Sequence, residues 1–275
     1  RGFGLGASGR GLCYGRGIRA LHICGSLDLL TERCIKAGSF STARKNLPGV
    51  KHRSPRRPGD EKPGRTGFAH LFEHVMFMGS QNVPVGKFDE WLEAAGASNN
   101  GSTNFDRTNY YETGPSNALP LMLWLDADRM GWLLPTMDKT KLDLQRDVVK
   151  NERRQSYDNV PYGRAYETIL PVMFPSNHPY SWPVIGSLAD LSAASVSDVS
   201  DFFRQYYAPN NATITIAGDF NADSAKSWVR QYFGNVPRNA EIARPTVPAV
   251  ALTKDTVMMM EDRVQLPRAY YVWHS

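Results

Sequence analysis

From residue 61 onward, apolar residues recur mostly at helical spacing, and short alternating runs separate the helices. The apolar run 67–79 follows Thr66, a residue able to cap, and stops at Gly79, which predicts a helix. Phe88, Trp91, Leu92 and Ala95 repeat at intervals of three and four before Gly96 and predict a second. Pro115 and Ser116 open a long apolar helix through Leu134. Asp138 is placed to cap a helix reaching about residue 157, with Leu142, Val148 and Val149 as its stripe. Further helices are expected over 163–170, from Ser197 with Val199, Phe202, Phe203 and Tyr206, and over 222–233 behind Asn221. Strand patterns fall at 98–104, 107–113 and 212–217, and again at 252–260 and 270–273. Pro237, Pro245 and Pro248 mark 237–251 as a linker. Helices and strands mix without regular βαβ alternation, so the chain reads as α+β.

The head of the chain, 1–60, does not share this patterning. It carries 12 Lys and Arg against three Asp and Glu, whereas the rest carries 20 against 24, so the net charge of +5 belongs to the head and the body is mildly acidic. The run 51–58, with Lys51, Arg53, Arg56 and Arg57, argues against a buried strand there. The head is expected to be a disordered basic tail or, given the break in usage at Glu61, sequence from a wrong frame or a misplaced start. Basic runs without interleaved aromatics on an acidic body argue against a nucleic-acid partner. Cys13, Cys24 and Cys34 form no C-x-x-C pair and indicate no disulfide framework. No run of about 18 apolar residues occurs, so no membrane span is expected. No signal peptide is legible, which leaves the compartment open.

Candidate chemistry concentrates in His70-Leu71-Phe72-Glu73-His74. On a helix, His70 and His74 project from one face, and two imidazoles at that spacing can share one zinc ion. The order H-x-x-E-H is the inverse of the common zinc-protease signature. Glu73 falls beside them, where a carboxylate can take a proton from zinc-bound water. A catalytic zinc site needs a third protein ligand, and Glu152 is the candidate, because it shares the side of its helix that carries Val148 and Val149. The alternative is a pair of histidines on an ordinary amphipathic helix, satisfied by backbone or water. His178, in a proline-rich loop, reads as structural. Asp126, Asp128 and Arg129, near a helix end, read as surface pairs, and Tyr110 and Tyr111 as sheet residues able to line a cleft.

From Glu61 onward the chain resembles the pitrilysin/insulinase family of inverted-zincin metallopeptidases, of the two-domain processing-peptidase-like type. The resemblance rests on Gly67-Phe68-Ala69-His70-Leu71-Phe72-Glu73-His74 with Met76-Phe77-Met78-Gly79-Ser80, and on Val148-Val149-Lys150-Asn151-Glu152 further along the chain. Gly96 to Thr103 is similar to the family's substrate-binding edge strand. The resemblance implies a mixed β-sheet with helices mainly on one face, one Zn2+ per chain held by His70, His74 and Glu152, and Glu73 as base. It also implies a peptide or protein substrate bound in extended form along Asn100, Gly101 and Ser102 by strand addition. Gln145 stands where the family often has a glutamate behind the ligands. The family's opening strands are not legible in 1–60, and 252–275 resembles the truncated start of a second domain that closes the site, so the chain reads as a fragment. A zinc-dependent metalloendopeptidase is implied, or a zinc-binding, non-catalytic subunit of a larger complex, with a periplasmic location in keeping with the family.

Overall fold

In the computed structural model, the described residues are 61, 64–242 and 250–274, with the backbone of 19–24 and 49–54. Five strands form one sheet: β1 (Arg19–Cys24), β2 (Gly49–Ser54), β3 (Ser98–Asn104), β4 (Arg107–Thr113) and β5 (Thr213–Gly218), in the order β1-β5-β2-β4-β3. Every neighbouring pair is antiparallel. The sheet of the described residues is therefore antiparallel, where the resemblance implied a mixed one. The cause is β5, which inserts between β1 and β2 from far along the chain.

Both β1 and β2 lie within 1–60, where no strand was expected. β2 is interior, pairing with β5 on one side and β4 on the other. Its register places positions 51 and 53 in rows with Thr215 and Thr213, which are only half-buried, while Ile214 and Ile216 in the alternate rows are core residues. A strand with charge at every second position is compatible with a sheet covered on one face only. The rest of the head, and the expectation of disorder or foreign sequence there, lies outside the described residues.

Eight α-helices occur among the described residues: α1 (Phe68–Val75), α2 (Lys87–Ala94), α3 (Leu119–Trp132), α4 (Lys139–Arg153), α5 (Ala165–Met173), α6 (Leu188–Ala193), α7 (Val196–Tyr206) and α8 (Ala222–Phe233). The α+β class holds. One apolar cluster joins α2, α3 and α8 to Ile214 and Ile216 of β5. A second joins Phe68, Leu71, Phe72 and Val75 of α1 to Leu142 and Val149 of α4 and to Val199 and Phe203 of α7. Burial of such side chains stabilises by about 1.5–3 kcal/mol each, so the zinc-motif helix is fixed by its apolar face.

Several local expectations hold. Asp138 accepts the Lys141 N–H at 2.8 Å and starts α4, and Asn221 caps α8 through the N–H groups of Asp223 and Ser224. The cap of α7 is Ser195 in a capping box with Asp198, two residues before the expected start. Val148 is exposed on α4, so the buried stripe is narrower than expected.

Asp126, Asp128 and Arg129 are not surface residues. They are 0, 2 and 1 % exposed, because they lie on the covered faces of α3. Arg129 Nη2 bonds Glu112 Oε1 at 2.7 Å and also bonds Asp126. Its guanidinium lies 4.5 Å from the Phe88 ring centroid, 4.7 Å from Tyr110 and 5.1 Å from Phe77. Asp128 accepts from Ser80 and from Asn82 Nδ2, the latter at 2.6 Å, and so holds the loop after α1.

The segments 252–260 and 270–273 are not strands. Among the described residues, apolar alternation there has no neighbouring strand to pair with, and Val257, Met259 and Trp273 are 92, 97 and 73 % exposed. Within the expected linker, residues 243–249 lie outside the described residues.

Candidate metal centre

The motif helix α1 starts at Gly67, whose φ of 84° is the left-handed conformation that suits glycine. Space also requires glycine here, since a Cβ on Gly67 would sit 2.6 Å from Ile185 O and 2.9 Å from Gly186 Cα. Thr66 does not cap the helix, contrary to the expectation. Its hydroxyl donates to Asp190 Oδ2 at 2.5 Å and accepts the Ser187 N–H at 3.1 Å, which ties the loop to α6. The helix end is capped by Glu61, whose Oε2 accepts Gly67 N–H at 3.0 Å and Oε1 accepts Ala69 N–H at 2.7 Å. A carboxylate at this end also complements the helix dipole.

His70 and His74 face α4 one turn apart, with ring centroids 4.8 Å from each other. Glu152, in the last turn of α4, meets both. Its Oε2 is 3.2 Å from His74 Nε2 and 3.6 Å from His70 Nε2. One ligand atom from each of the three lies within 4.8 Å of the others, and this is the group of metal-ligating side chains found among the described residues.

The protonation states suit a cation. Burial brings the His70 pKa down to about 4, against the pull of Glu152, so its lone pair is free at neutral pH. The hydrogen bond with His74 holds Glu152 below the usual carboxylate range, although burial opposes this. Two imidazoles and one carboxylate are a donor set suited to zinc.

Glu73 points to a different neighbour, the strand β3. Thr103 Oγ1 donates to Glu73 Oε2 at 2.5 Å. Beneath its side chain lies Gly101, where a Cβ would come 2.8 Å from Glu73 Cγ. Burial raises the Glu73 pKa, opposed by the Thr103 hydrogen bond and then by His74.

The edge residues expected to meet substrate divide into two sets. Gly101 shares the α1 side of the sheet with Thr103. Asn100 is exposed and its Oδ1 accepts the Gly101 N–H at 2.8 Å. Ser102 is engaged with neighbours on β4, donating to Asn109 Oδ1 at 3.0 Å and accepting from Arg107 Nη1 at 2.9 Å. Among the described residues β3 is an outer strand of the sheet, so one edge of it is open to pairing there. Gln145 directs its amide at Met78 Sδ, 2.7 Å away. His178 lies outside the cluster and accepts the Tyr180 N–H at Nδ1. Tyr110 is buried, with its hydroxyl 2.6 Å from that of Tyr207 and 3.3 Å from Phe72 O, while Tyr111 is half-buried.

The profile described as "Insulinase (Peptidase family M16)" matches residues 60–175, which contain all four residues of the site. That described as "Peptidase M16 inactive domain" matches residues 193–275. The chain belongs to the insulinase family, M16. Among M16 relatives, the zinc protease PqqE of Helicobacter pylori is 32% identical over 187 residues, covering 68% of this chain and 41% of the relative. The probable zinc protease PqqL of Escherichia coli is 24% identical over 219 residues, 77% of this chain and 23% of the relative. The crystal structure of a Helicobacter pylori protease superposes with a TM-score of 0.69 at 30% identity, over 74% of this chain and 48% of that one. Pitrilysin superposes with a TM-score of 0.62 at 26% identity, over 74% and 22%. The chain thus spans less than half the length of each of these M16 proteins. The inactive-domain match begins ahead of the boundary expected at 237 and takes in α7, β5 and α8, of which β5 belongs to the central sheet.

Sequence reasoning placed Thr103 only as the end of the edge-strand match, not as a partner of Glu73, and it missed Glu61 as a cap. The i, i+2 pairing of Gly101 with Thr103 on one strand face was the available signal for the first. Glu61 lies outside the usual capping position and left no local signal.

Proposed function

We propose that this chain is the zinc-binding part of a metalloendopeptidase, with His70, His74 and Glu152 holding one Zn2+ and Glu73 serving as the base. The convergence of three donor atoms from α1 and α4 beside a separately held carboxylate carries this reading. When bound, zinc supplies a Lewis acid that polarises a peptide carbonyl and lowers the pKa of water towards about 7. His70 and Glu152 contribute a neutral imidazole and an ionised carboxylate, and so need lose no proton to bind. Glu73 takes one proton from the water whose oxygen bonds to the carbonyl carbon. It passes that proton to the nitrogen as the C–N bond breaks, leaving a carboxylic acid and an amine.

The open edge of β3 accepts the substrate as an added strand, with Gly101 and Asn100 offering backbone next to Glu73. Such binding selects extended segments of peptides or unfolded proteins. Escherichia coli PqqL is described as periplasmic, and a periplasmic location is proposed here by that likeness. A second domain or a partner subunit that closes the site is part of the same reading.

Metal analysis with a quenched-peptide assay tests it. Wild type is expected to hold one zinc per chain, Glu73→Gln to keep the zinc and lose turnover, and His74→Ala to lose the zinc. Stoichiometric zinc in His74→Ala refutes the ligand assignment. Undiminished cleavage by Glu73→Gln refutes the base, and zinc without turnover in wild type points to the non-catalytic subunit.

A further inference from the structure

The Glu73 carboxylate has one hydrogen-bond partner among the described residues, the hydroxyl of Thr103. That hydroxyl has a second neighbour, Thr108 Oγ1 at 3.1 Å, where either atom can be the donor. Each hydroxyl carries one proton. Thr103 spends its proton on Glu73 Oε2, so in the second contact Thr108 donates to Thr103. The direction of the pair is thereby fixed as Thr108 to Thr103 to Glu73. The two threonines are a directly opposed pair on β3 and β4, and Thr108 is fully buried. Gly101, two residues before Thr103, leaves the room through which the Glu73 side chain passes.

We propose that Thr103 is a positioning residue, which with Thr108 behind it and Gly101 beside it locks the rotamer of Glu73. This rests on the reading of Glu73 as the base. A glutamate has three rotatable side-chain bonds, and an unheld one spends most of its time out of reach of the reacting atoms. The lock lies on two paired strands and not on a loop, so the carboxylate is placed by the sheet while the metal ligands are placed by α1 and α4. Base and ligand set thus meet at the junction of sheet and helix layer. A hydroxyl is what the position needs, because a valine of the same shape offers no donor.

The test compares Thr103→Val and Thr103→Ser with wild type in the full chain. With a quenched peptide, Thr103→Val is expected to lower kcat by roughly 10- to 100-fold, with KM and zinc content unchanged. Thr103→Ser is expected to restore most of it. A second readout needs no turnover: the infrared band of the Glu73 carboxylate in zinc-free protein with 13C-labelled glutamate, isolated by difference against Glu73→Gln. That band should shift in Thr103→Val and return in Thr103→Ser. A wild-type chain that binds no zinc or cleaves nothing counts against the zinc-peptidase reading, and the infrared contrast then decides the Thr103 contact alone. A band indifferent to Thr103→Val overturns the proposal. So does a shifted band with unchanged kcat, or a Thr103→Ser variant no better than Thr103→Val.

Discussion

Replacing Arg129 with methionine tests the buried charge cluster beneath the site. Arg129 Nη2 lies between Glu112 and Asp126, both of them buried, with three aromatic rings around the guanidinium. Burial, and then the neighbouring Asp126, raise the Glu112 pKa well above its ordinary 4.5, against the pull of Arg129, the cation that balances the buried carboxylate charge. Methionine fills most of the volume but leaves that charge uncompensated. Removing one partner of a buried ion pair costs about 3–5 kcal/mol. An independent route gives a similar figure. If the stranded carboxylate instead takes up a proton at pH 7, the cost is about 1.4 kcal/mol for each unit above its ordinary pKa, or about 3–4 kcal/mol. Against a total stability of about 5–15 kcal/mol this is a large fraction. With a urea m-value of about 2–3 kcal/mol/M, the unfolding midpoint should fall by about 1–2 M. Urea unfolding followed by tryptophan fluorescence measures it. Adding Glu112→Gln and Asp126→Asn should recover at least half of the loss, because no net charge then remains buried. A loss below about 1 kcal/mol, or a triple variant as unstable as the single one, refutes the account.

Three other outcomes follow from the same structure. Glu112 holds its proton more tightly when folded, so its contribution to stability is full below its ordinary pKa of 4.5 and is lost as pH rises through the folded value; Glu112→Gln should flatten the pH dependence of the urea midpoint across that window. Gly101→Ala places a Cβ 2.8 Å from Glu73 Cγ, and should lower peptide turnover by about tenfold or more while zinc content is retained; full activity would show that Glu73 does not sit there in the working enzyme. Gly186→Ala forces a Cβ to within 2.5 Å of Gly67 Cα at a φ of 74°, and should weaken zinc binding by about tenfold or more in a chelator competition, since it pushes the start of α1 away from α4; unchanged affinity would show that the two segments yield independently.

What the sequence disclosed depends on how local each feature is. The α1 pair of histidines follows from a four-residue spacing and needs nothing beyond the helix. Glu152 lies far along the chain from that pair, and the side of α4 it shares with Val149 points it towards α1. The contact of Thr103 with Glu73 was harder to read, because a small polar residue in a polar strand reads as an ordinary edge residue. Its use exists only once β4 sets Thr108 opposite it and α1 lays Glu73 over it. Asp126, Asp128 and Arg129 were misread for another reason. Charged residues are seldom buried unless paired, and beyond the local Asp126–Arg129 pair the partners come from β4 and from the loop after α1, neither adjacent in sequence. In β2, composition was weighed as though both faces of the sheet were covered, whereas helices cover one. At 252–260 and 270–273, apolar composition without a partner strand among the described residues made no ladder.

These corrections converge on one physical point, that the motif helix is held by contacts the motif does not contain. Its amino end is fixed by Glu61 and by the Gly67–Gly186 backbone contact. Its middle is fixed through Phe72 O, which accepts from Tyr110 Oη at 3.3 Å. The loop after it is fixed by Asp128, next to the buried Arg129. Arg153, the neighbour of Glu152, donates from Nη1 to Gly186 O at 3.0 Å, so the loop that packs on the start of α1 also anchors the end of α4. The proposed ligands on the two helices are therefore indexed to a common backbone segment. A site assembled only on metal binding would have to meet the ordering of those side chains from the binding energy. In the proposed site, burial and hydrogen bonding within the fold supply it, which would leave more of a metal's binding energy to appear as affinity.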